Sequence, residues 1–137
     1  MRVLLDTNIV LDVLLKREPW VSNSKSIWQA NDDGRITGYI AGTTLTDIFY
    51  IARKITDFST AQEAVKTCLE AFEICTVDHR ALELAVTFQG NDFEDNLQIA
   101  CANIESLDAI VTRDPEGFKN SPVLILTPEK ILKKIIK

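Results

Sequence analysis

The sequence predicts an α/β fold in which a central parallel sheet of about five strands is flanked by helices. Short apolar runs alternate along the chain with longer segments whose apolar residues recur at helical spacing. Strands that read as continuous apolar runs are typical of parallel sheets buried on both faces. The length of 137 residues, of which 46% are hydrophobic, fits one domain with a substantial core, and we assign residues 1–137 to it.

The first half of the chain predicts the following elements in order. A strand over Val3–Leu5 stops at Asp6 and passes into a helix that ends at Glu18-Pro19. Ser22 is a suitable cap for a second helix, and Asp33-Gly34 ends that helix. The next elements are a strand over 36–40, a helix from Thr43 that residues 56–59 close, a helix that Ser59 opens and that runs to Phe72, and a strand over 74–77.

The second half continues the alternation. Asp78 caps a helix that Gly90-Asn91 ends, and Asp92 caps a helix from Phe93 to about Glu105. A strand over 109–112, a turn through 115–118 and a strand over 123–126 follow. The last helix starts at Thr127-Pro128-Glu129 and ends in Lys133, Lys134 and Lys137, whose charges complement the helix dipole.

Composition argues against several classes of protein. No stretch reaches the roughly 18 apolar residues that span a bilayer, and polar residues interrupt the apolar N-terminus, so we expect a soluble, cytosolic protein. Cys68, Cys75 and Cys101 form no C-x-x-C pair, which argues against a disulfide framework or a zinc site and predicts buried free thiols.

The net charge of −5 is unusual for a nucleic-acid binder, because attraction to phosphate normally requires a basic surface. Assigning four Asp residues to a metal site changes the charge of the remainder from −5 to −1. A bound divalent ion also reverses the local sign of the charge. The acidic composition therefore does not exclude a nucleic-acid substrate.

Four Asp residues from distant parts of the chain are the strongest functional signal: Asp6, Asp47, Asp95 and Asp114. Asp6 and Asp114 directly follow predicted strands, and residues at those strand ends face the ligand crevice of a parallel sheet. Asp47 and Asp95 lie early in helices, from which they can reach the same edge. Carboxylates gathered there need protons or a cation. Oxygen ligands without His or Cys indicate Mg²⁺ or Mn²⁺, which commonly serve phosphoryl chemistry.

These acids also have structural interpretations. Asp6 can cap the helix that follows it, and Asp114, before a proline, can be a turn residue. Asp92 is a cap that lies close enough to Asp95 to contact the same site. Asp47 has the weakest structural interpretation, because an unpaired charge in a largely apolar helix is costly.

Other polar and aromatic residues are assigned structural roles. We expect Asp12 to have a solvent or salt-bridge role, Glu94 to complement the helix dipole in the first turn, and His79 to lie on the surface. Trp20 and Trp28 are interpreted as packing residues, with a subunit interface as the alternative.

The order of the motifs resembles a PIN domain of the VapC toxin type. The matching segments are LLDTN at the N-terminus, the acid in TTLTDIFY, DFEDNLQIACA, and IVTRD followed by GF. The resemblance spans almost the whole chain. It implies a Rossmann-like parallel sheet, a metal-dependent ribonuclease, a homodimer and, often, a toxin neutralised by a small antitoxin protein.

The resemblance also assigns residues. It implies catalytic acids at Asp6, Asp47, Asp95 and Asp114, metal ligands at Asp6, Asp92, Asp95 and Asp114, and polar supports at Asn8 and Thr112. Two positions depart from the pattern. Asp47 stands where Glu is usual and is one methylene shorter, and Asn96 stands where a small Ala is common.

The resulting hypothesis is hydrolysis of RNA phosphodiesters with Mg²⁺ or Mn²⁺, in which Asp47 orients the attacking water or completes a second metal site. The residues predicted to bind RNA phosphates are Arg53, Lys54 and Arg113, with Lys16, Arg17 and Lys119 as further steering groups.

Three alternatives stay open. A haloacid-dehalogenase-like phosphatase also starts with a strand ending in a nucleophilic Asp, but it would need a second Asp where this chain has Asn8. A PIN-like module that is catalytically weak or inactive would instead act as a binding partner. A phospho-accepting receiver domain fits less well, because its acceptor Asp should end a middle strand and a Lys should lie near the site late in the chain.

Overall fold

The computed structural model describes residues 1–135, so Lys137, which we expected in the last helix, lies outside the described residues. Five parallel strands form one sheet, and seven α-helices flank it within residues 1–135, which confirms the predicted fold class. The strands are β1 (Arg2–Leu5), β2 (Thr37–Ala41), β3 (Glu73–Cys75), β4 (Ala109–Val111) and β5 (Ile125–Leu126). The helices are α1 (Thr7–Leu14), α2 (Val21–Asp32), α3 (Gly42–Ile55), α4 (Phe58–Ala71), α5 (His79–Thr87), α6 (Phe93–Ile104) and α7 (Pro128–Ile135). A short 3-10 turn spans Pro115–Phe118.

The strand order places the ends of β1 and β4 side by side. The sheet runs β3-β2-β1-β4-β5, and every neighbouring pair is parallel. The chain builds outward from β1 to β3 and then crosses to the other side of β1 to add β4. The order therefore reverses between β1 and β4, where the register pairs Leu5 with Val111. In open parallel sheets, such a reversal opens a crevice at the carboxyl ends of the strands.

The core lies on both faces of the sheet. On one face, Val3, Leu5 and Val111 pack with residues of α1, α2, α3, α4 and α7. On the other face, Leu4 and Ile110 pack with α5 and α6. Successive strand residues point to opposite faces, and both faces are covered by helices, so the strands are largely apolar, with Arg2, Thr37 and Glu73 at the first positions of β1, β2 and β3.

Several helix ends differ from the prediction. Helix α1 ends at Leu14, well before Glu18-Pro19, because Lys16 takes a positive φ of 53° that ends the helix. Ser22 does not cap α2. That helix begins at Val21, whose N–H donates to the Arg17 carbonyl at 2.8 Å, so the preceding turn leads directly into it.

Helix α4 begins one residue earlier than predicted, because Asp57 caps it by accepting from the Thr60 N–H at 2.7 Å. Helix α5 ends at Thr87, before Gly90-Asn91. The predicted caps Asp78 and Asp92 are confirmed, since each carboxylate accepts from a backbone N–H in the first turn of its helix.

The cysteines and one tryptophan occupy their expected places. Cys68, Cys75 and Cys101 are buried free thiols, and burial raises their thiol pKa to about 11, 12 and 11. Trp28 packs edge-on against Phe72, with ring centroids 4.7 Å apart. Across residues 1–135, none of the helices combines the length and the apolar character needed to cross a membrane.

Candidate active site

Asp6 and Asp114 lie at the reversal of the strand order, as the sequence predicted. Asp6 directly follows β1, and its N–H donates to the Val111 carbonyl at the end of β4 at 3.0 Å. Asp114 follows β4 by a short turn, in which its N–H donates to Thr112 Oγ1 at 3.0 Å. The parallel register thus brings acids that are far apart in sequence to one edge of the sheet.

Three donors fix the Asp6 carboxylate. Thr7 N–H and Gln98 Nε2 donate to its Oδ1 at 2.8 Å and 3.0 Å, and Thr112 Oγ1 donates to its Oδ2 at 2.8 Å. Asp6 therefore caps α1 and lines the crevice at the same time. Charge-assisted hydrogen bonds to both oxygens hold this buried side chain in one orientation.

Helix α6 contributes Asp92 and Asp95. Asp92 is the helix cap, and its Oδ1 accepts from the Asp95 N–H at 3.1 Å. Burial raises the pKa of Asp95 to about 7, and repulsion from Asp92, Asp6 and Asp114 adds to the effect. Gly117 leaves room for this side chain, because a Cβ there would lie 2.5 Å from Asp95 Oδ2.

Asp47 and Glu94 face each other across the crevice. Partial burial raises the pKa of both carboxyl groups. Repulsion from Asp92 adds to the pKa of Asp47, and repulsion from Asp47 adds to that of Glu94. The two carboxyl groups are within hydrogen-bonding reach of each other, so one proton can lie between them. Glu94 therefore reaches the site from α6, opposite the shorter Asp47 of α3.

These acids line one cavity of about 380 Å³ at the carboxyl end of the sheet. Six carboxyl groups face it: Asp6, Asp47, Asp92, Glu94, Asp95 and Asp114. Asn8 and Gln98 add amide groups, and within residues 1–135 no Lys, Arg, His or Cys lines the cavity. Carboxylate oxygens without nitrogen or sulfur ligands suit Mg²⁺ or Mn²⁺, so the donor set fits the metal that the sequence predicts.

The carboxylates share the cavity but do not yet surround one point. Among residues 1–135, no three Asp, Glu, His or Cys side chains are already placed as ligands of a single ion. Binding an ion therefore requires side-chain rotation, for which the exposed Asp114 has room, whereas Asp92 and Glu94 would exchange their present contacts with the Asp95 N–H and Asp47. Asp6 is the fixed member, since its carboxylate is held by three donors.

The basic residues predicted to bind RNA have different surroundings. Arg53 and Lys54 are exposed at the end of α3, and the Arg53 guanidinium lies 5.7 Å from the centroid of the Phe58 ring. Arg113 is engaged with the protein itself. Its Nε donates to Asp12 at 2.9 Å, and its guanidinium carbon lies 3.8 Å from the centroid of the Trp20 ring. A phosphate contact at Arg113 would compete with this ion pair.

The remaining predicted residues are placed as follows. Asn8 lines the acidic cavity, where its Oδ1 accepts from Arg17 at 3.3 Å. Lys16 is exposed just beyond α1, and Lys119 lines a neighbouring cavity. His79 is on the surface beside Glu83, as expected.

Two residues of the site were not identified as functional from the sequence. Gln98 lies one helical turn after Asp95 on α6, within a run of apolar residues, and its burial signals a polar partner that only the fold reveals. Glu94 was interpreted as a complement to the helix dipole, but it also faces Asp47. The family pattern offered a signal for Glu94. Glu is usual at the position of Asp47, so the shorter Asp47 suggests that another carboxyl group completes this side of the site.

The family model for the PIN domain matches residues 2–116. The chain belongs to the PIN domain family. The matched residues include all six acids of the cavity at the strand ends. No curated protein matches this PIN domain in sequence.

Solved structures share the fold. A toxin–antitoxin complex from Klebsiella pneumoniae is 23% identical, with 92% of this chain and 97% of that chain covered and a TM-score of 0.66. VapBC2 from Rickettsia felis, bound to a DNA fragment from its promoter, is 19% identical, covers 93% and 98%, and has a TM-score of 0.67.

The sarcin-ricin loop cleaving toxin VapC20 from Mycobacterium tuberculosis is 12% identical, with 86% of this chain and 94% of that chain covered and a TM-score of 0.70. At these identities the similarity shows the common PIN fold.

Proposed function

We propose that this PIN domain is an endoribonuclease that requires Mg²⁺ or Mn²⁺ and hydrolyses RNA phosphodiester bonds. The observation that carries the proposal is the cavity with six carboxyl groups at the reversal of the strand order. Burial, with repulsion from the neighbouring carboxylates, raises the pKa of Asp95 to about 7, and no cationic side chain within residues 1–135 lines the cavity. A divalent cation supplies that charge and suits the oxygen ligands.

The chain's own residues have distinct roles in this proposal. Asp6, Asp95 and Asp114, with Asp92, would hold the ion, and a bound ion would polarise the phosphate and lower the pKa of a water. Gln98 and Thr112 orient the Asp6 carboxylate through their hydrogen bonds. Asn8 supports the same edge of the cavity.

Asp47 and Glu94 form the opposite wall of the cavity. Partial burial raises the pKa of both carboxyl groups above the ordinary value, which makes each a stronger base toward a nearby water. We assign Asp47 to orienting the attacking water. Glu94, whose carboxyl group faces that of Asp47, would assist it.

RNA would approach along the rim of the cavity. Arg53 and Lys54 follow Asp47 and Ile51, which line the cavity from the same helix. Their exposure at the helix end allows contact with phosphates on either side of the cleavage site. Arg113 would contribute only if a phosphate replaced or shared its ion pair with Asp12.

We further propose that the protein is the toxin of a type II toxin–antitoxin system, acts in the cytoplasm as a homodimer, and is neutralised by a small antitoxin protein. The Klebsiella pneumoniae structure is a toxin–antitoxin complex, and the Rickettsia felis structure is a VapBC assembly on promoter DNA. The similarity covers almost the whole of each chain, which supports the same arrangement for this protein.

The test is cleavage of a pool of structured and single-stranded RNAs in Mg²⁺, Mn²⁺ or EDTA. Asp6→Asn and Asp95→Asn are the site variants, and Asp32→Asn, at the exposed end of α2, is the matched control. We expect metal-dependent cutting that both site variants lose and the control retains. Folded, metal-supplied protein that cuts no RNA would overturn the proposal and favour a PIN-like binding module. Phosphate trapped covalently on Asp6 would favour a phosphatase.

A further inference from the structure

A second cavity lies directly beside the acidic one. Its volume is about 310 Å³. Residues of three parts of the chain line it: the segment before α6, the helix α6, and the 3-10 turn that follows β4 with the residues just after that turn. Asp92 lines both cavities. Gly117, on the wall of the second cavity, directly faces Asp95 of the first. The two cavities therefore adjoin at Asp92 and at the contact of Gly117 with Asp95.

The lining of the second cavity differs from that of the acidic one. Phe88 and Ile99 provide apolar walls, and apolar surface predominates in the lining. Gln89, Asn91, Asn96 and Asn120 provide four amide groups, each of which carries both donors and an acceptor. The lining also contains Lys119 and the carboxylates Asp92 and Glu116. An apolar slot with a few amide groups is typical of pockets for planar organic ligands.

Asn96 forms the floor of this cavity and stands where the family usually has a small Ala. It is 5% exposed, and its Nδ2 donates to the Gly90 carbonyl at 3.0 Å, which ties the segment before α6 to the helix. Its Oδ1 has no donor among residues 1–135. Gly90 makes room for that oxygen, since a Cβ there would lie 2.5 Å from it. This oxygen is enclosed beside Gly90, so the amide groups open to a ligand are those of the exposed Gln89, Asn91 and Asn120.

We propose that this cavity is a base-recognition subsite, which accepts one unstacked nucleobase of single-stranded RNA next to the phosphate that is cut. The inference rests on the proposed nuclease function and extends it to sequence preference. Proteins that read single-stranded RNA hold splayed bases against aromatic side chains and bond their edges with polar groups. Phe88 offers the stacking surface, and Gln89 and Asn120 are exposed amides at the entrance.

The test measures cleavage and binding separately. Cleavage sites are mapped on a random single-stranded RNA pool with Mn²⁺, which gives the base preference beside the cut. Binding of four labelled homo-oligomers, one for each base, is measured by fluorescence anisotropy in an Asp6→Asn background that does not cut. Gln89→Ala and Asn120→Ala are the subsite variants. Gln62→Ala and Asn103→Ala, which remove exposed amides on α4 and α6 away from the cavity, are the matched controls.

We expect the protein to prefer one base beside the cut by about tenfold, the size of discrimination given by a bidentate amide contact. The subsite variants should reduce this preference several-fold, both in cleavage and in binding, whereas the controls should leave it unchanged. Because the variants change exposed side chains, all proteins should unfold at the same temperature.

Each outcome is decisive. Cleavage with a preference that neither subsite variant alters overturns the subsite and leaves the nuclease proposal intact. Base-selective binding that the subsite variants weaken, without cleavage by the native protein, supports the subsite and overturns the nuclease proposal. Equal binding of all four oligomers by native and variant proteins overturns the subsite, whatever the cleavage result.

Discussion

Asp12 and Asp95 are two buried or half-buried acids on helices that start beside the ends of strands, and their surroundings are opposite. Asp12 is completely buried, accepts two hydrogen bonds from Arg113, and lies 3.6 Å from Arg17. Asp95 faces other carboxylates, and its pKa is raised to about 7. The first acid is neutralised within the chain, and the second is not.

This difference separates a structural charge from a functional one. A buried carboxylate with cationic partners links parts of the fold, and here it joins α1 to the segment between β4 and Asp114. Carboxylates gathered without cations cost free energy unless something from outside the chain compensates them. The sequence contains many acids, but only their partners in the fold show which kind each one is.

Removal of Asp12 should give the largest loss of stability. Asp12→Ala leaves Arg113 without its partner beneath Trp20, and breaking a buried ion pair typically costs about 3–5 kcal/mol. Urea unfolding followed by far-UV circular dichroism measures the change in the free energy of unfolding. Asp32→Ala, which removes an exposed acid from α2, should change it by less than about 0.5 kcal/mol. Equal effects of the two variants would contradict the structural role of Asp12.

Removal of the donors to Asp6 should reduce activity without unfolding the protein. Gln98→Leu and Thr112→Val each delete one hydrogen bond to the Asp6 carboxylate. Loss of such an orienting group typically reduces metal affinity or activity by about 10–100-fold. Mn²⁺ titration of RNA cleavage measures both. Thr67→Val, at an exposed position on α4, is the control. Unchanged Mn²⁺ dependence in both variants would show that Asp6 needs no support.

The stability of the metal-free protein should depend on pH through Asp95. Its pKa is raised from the ordinary 3.8 to about 7 on folding, so the folded protein binds a proton more tightly than the unfolded chain. This contribution is fully present below pH 4 and is lost as the pH rises through about 7. The loss should be on the order of 1 kcal/mol after solvent screening, or about 2–4 °C in Tm.

Thermal unfolding in EDTA at pH 5.5 and pH 8 measures this effect. Asp95→Asn should raise Tm at pH 8 and reduce the difference between the two pH values, because the variant carries no titratable group at this position. If Asp95→Asn is less stable than the native protein at pH 8, the ionised Asp95 carboxylate does not destabilise the metal-free fold, and this explanation is wrong.

The smallest effect is expected at the rim. Arg53→Ala and Lys54→Ala should each weaken RNA binding by at most about fivefold, and equally for all RNA sequences. Each should also reduce the slope of log affinity against log salt concentration by about 1, the change expected for the loss of one phosphate contact. Lys66→Ala, on the exposed side of α4, should change neither. Fluorescence anisotropy at several salt concentrations measures both quantities. A salt slope that is unchanged in both rim variants would place the RNA elsewhere.

The placement of Asp6 and Asp114 could be predicted because chain direction alone decides where the end of a parallel strand points. The salt-bridge role expected of Asp12 is confirmed, but its partner Arg113, which was assigned to RNA phosphates, could not be predicted, because an ion pair between residues 101 positions apart depends on which strands are neighbours. Gln98 and Glu94 depend on the rotation of α6 about its axis, which apolar periodicity gives too coarsely. The end of α1 was also mispredicted, because a positive φ at Lys16 leaves no signal in its side chain.

The central claim is that the uncompensated carboxylates form a divalent-metal site. Isothermal titration of Mn²⁺ at pH 7, in buffers of different ionisation enthalpy, tests it most directly. The native protein should bind Mn²⁺ and release protons, because Asp95 with a pKa of about 7 is partly protonated before the ion binds. Asp95→Asn should lose the proton release and most of the affinity, while Asp32→Asn should retain both. Native protein that binds no Mn²⁺, or that binds it equally well with Asn at position 95, would contradict the claim.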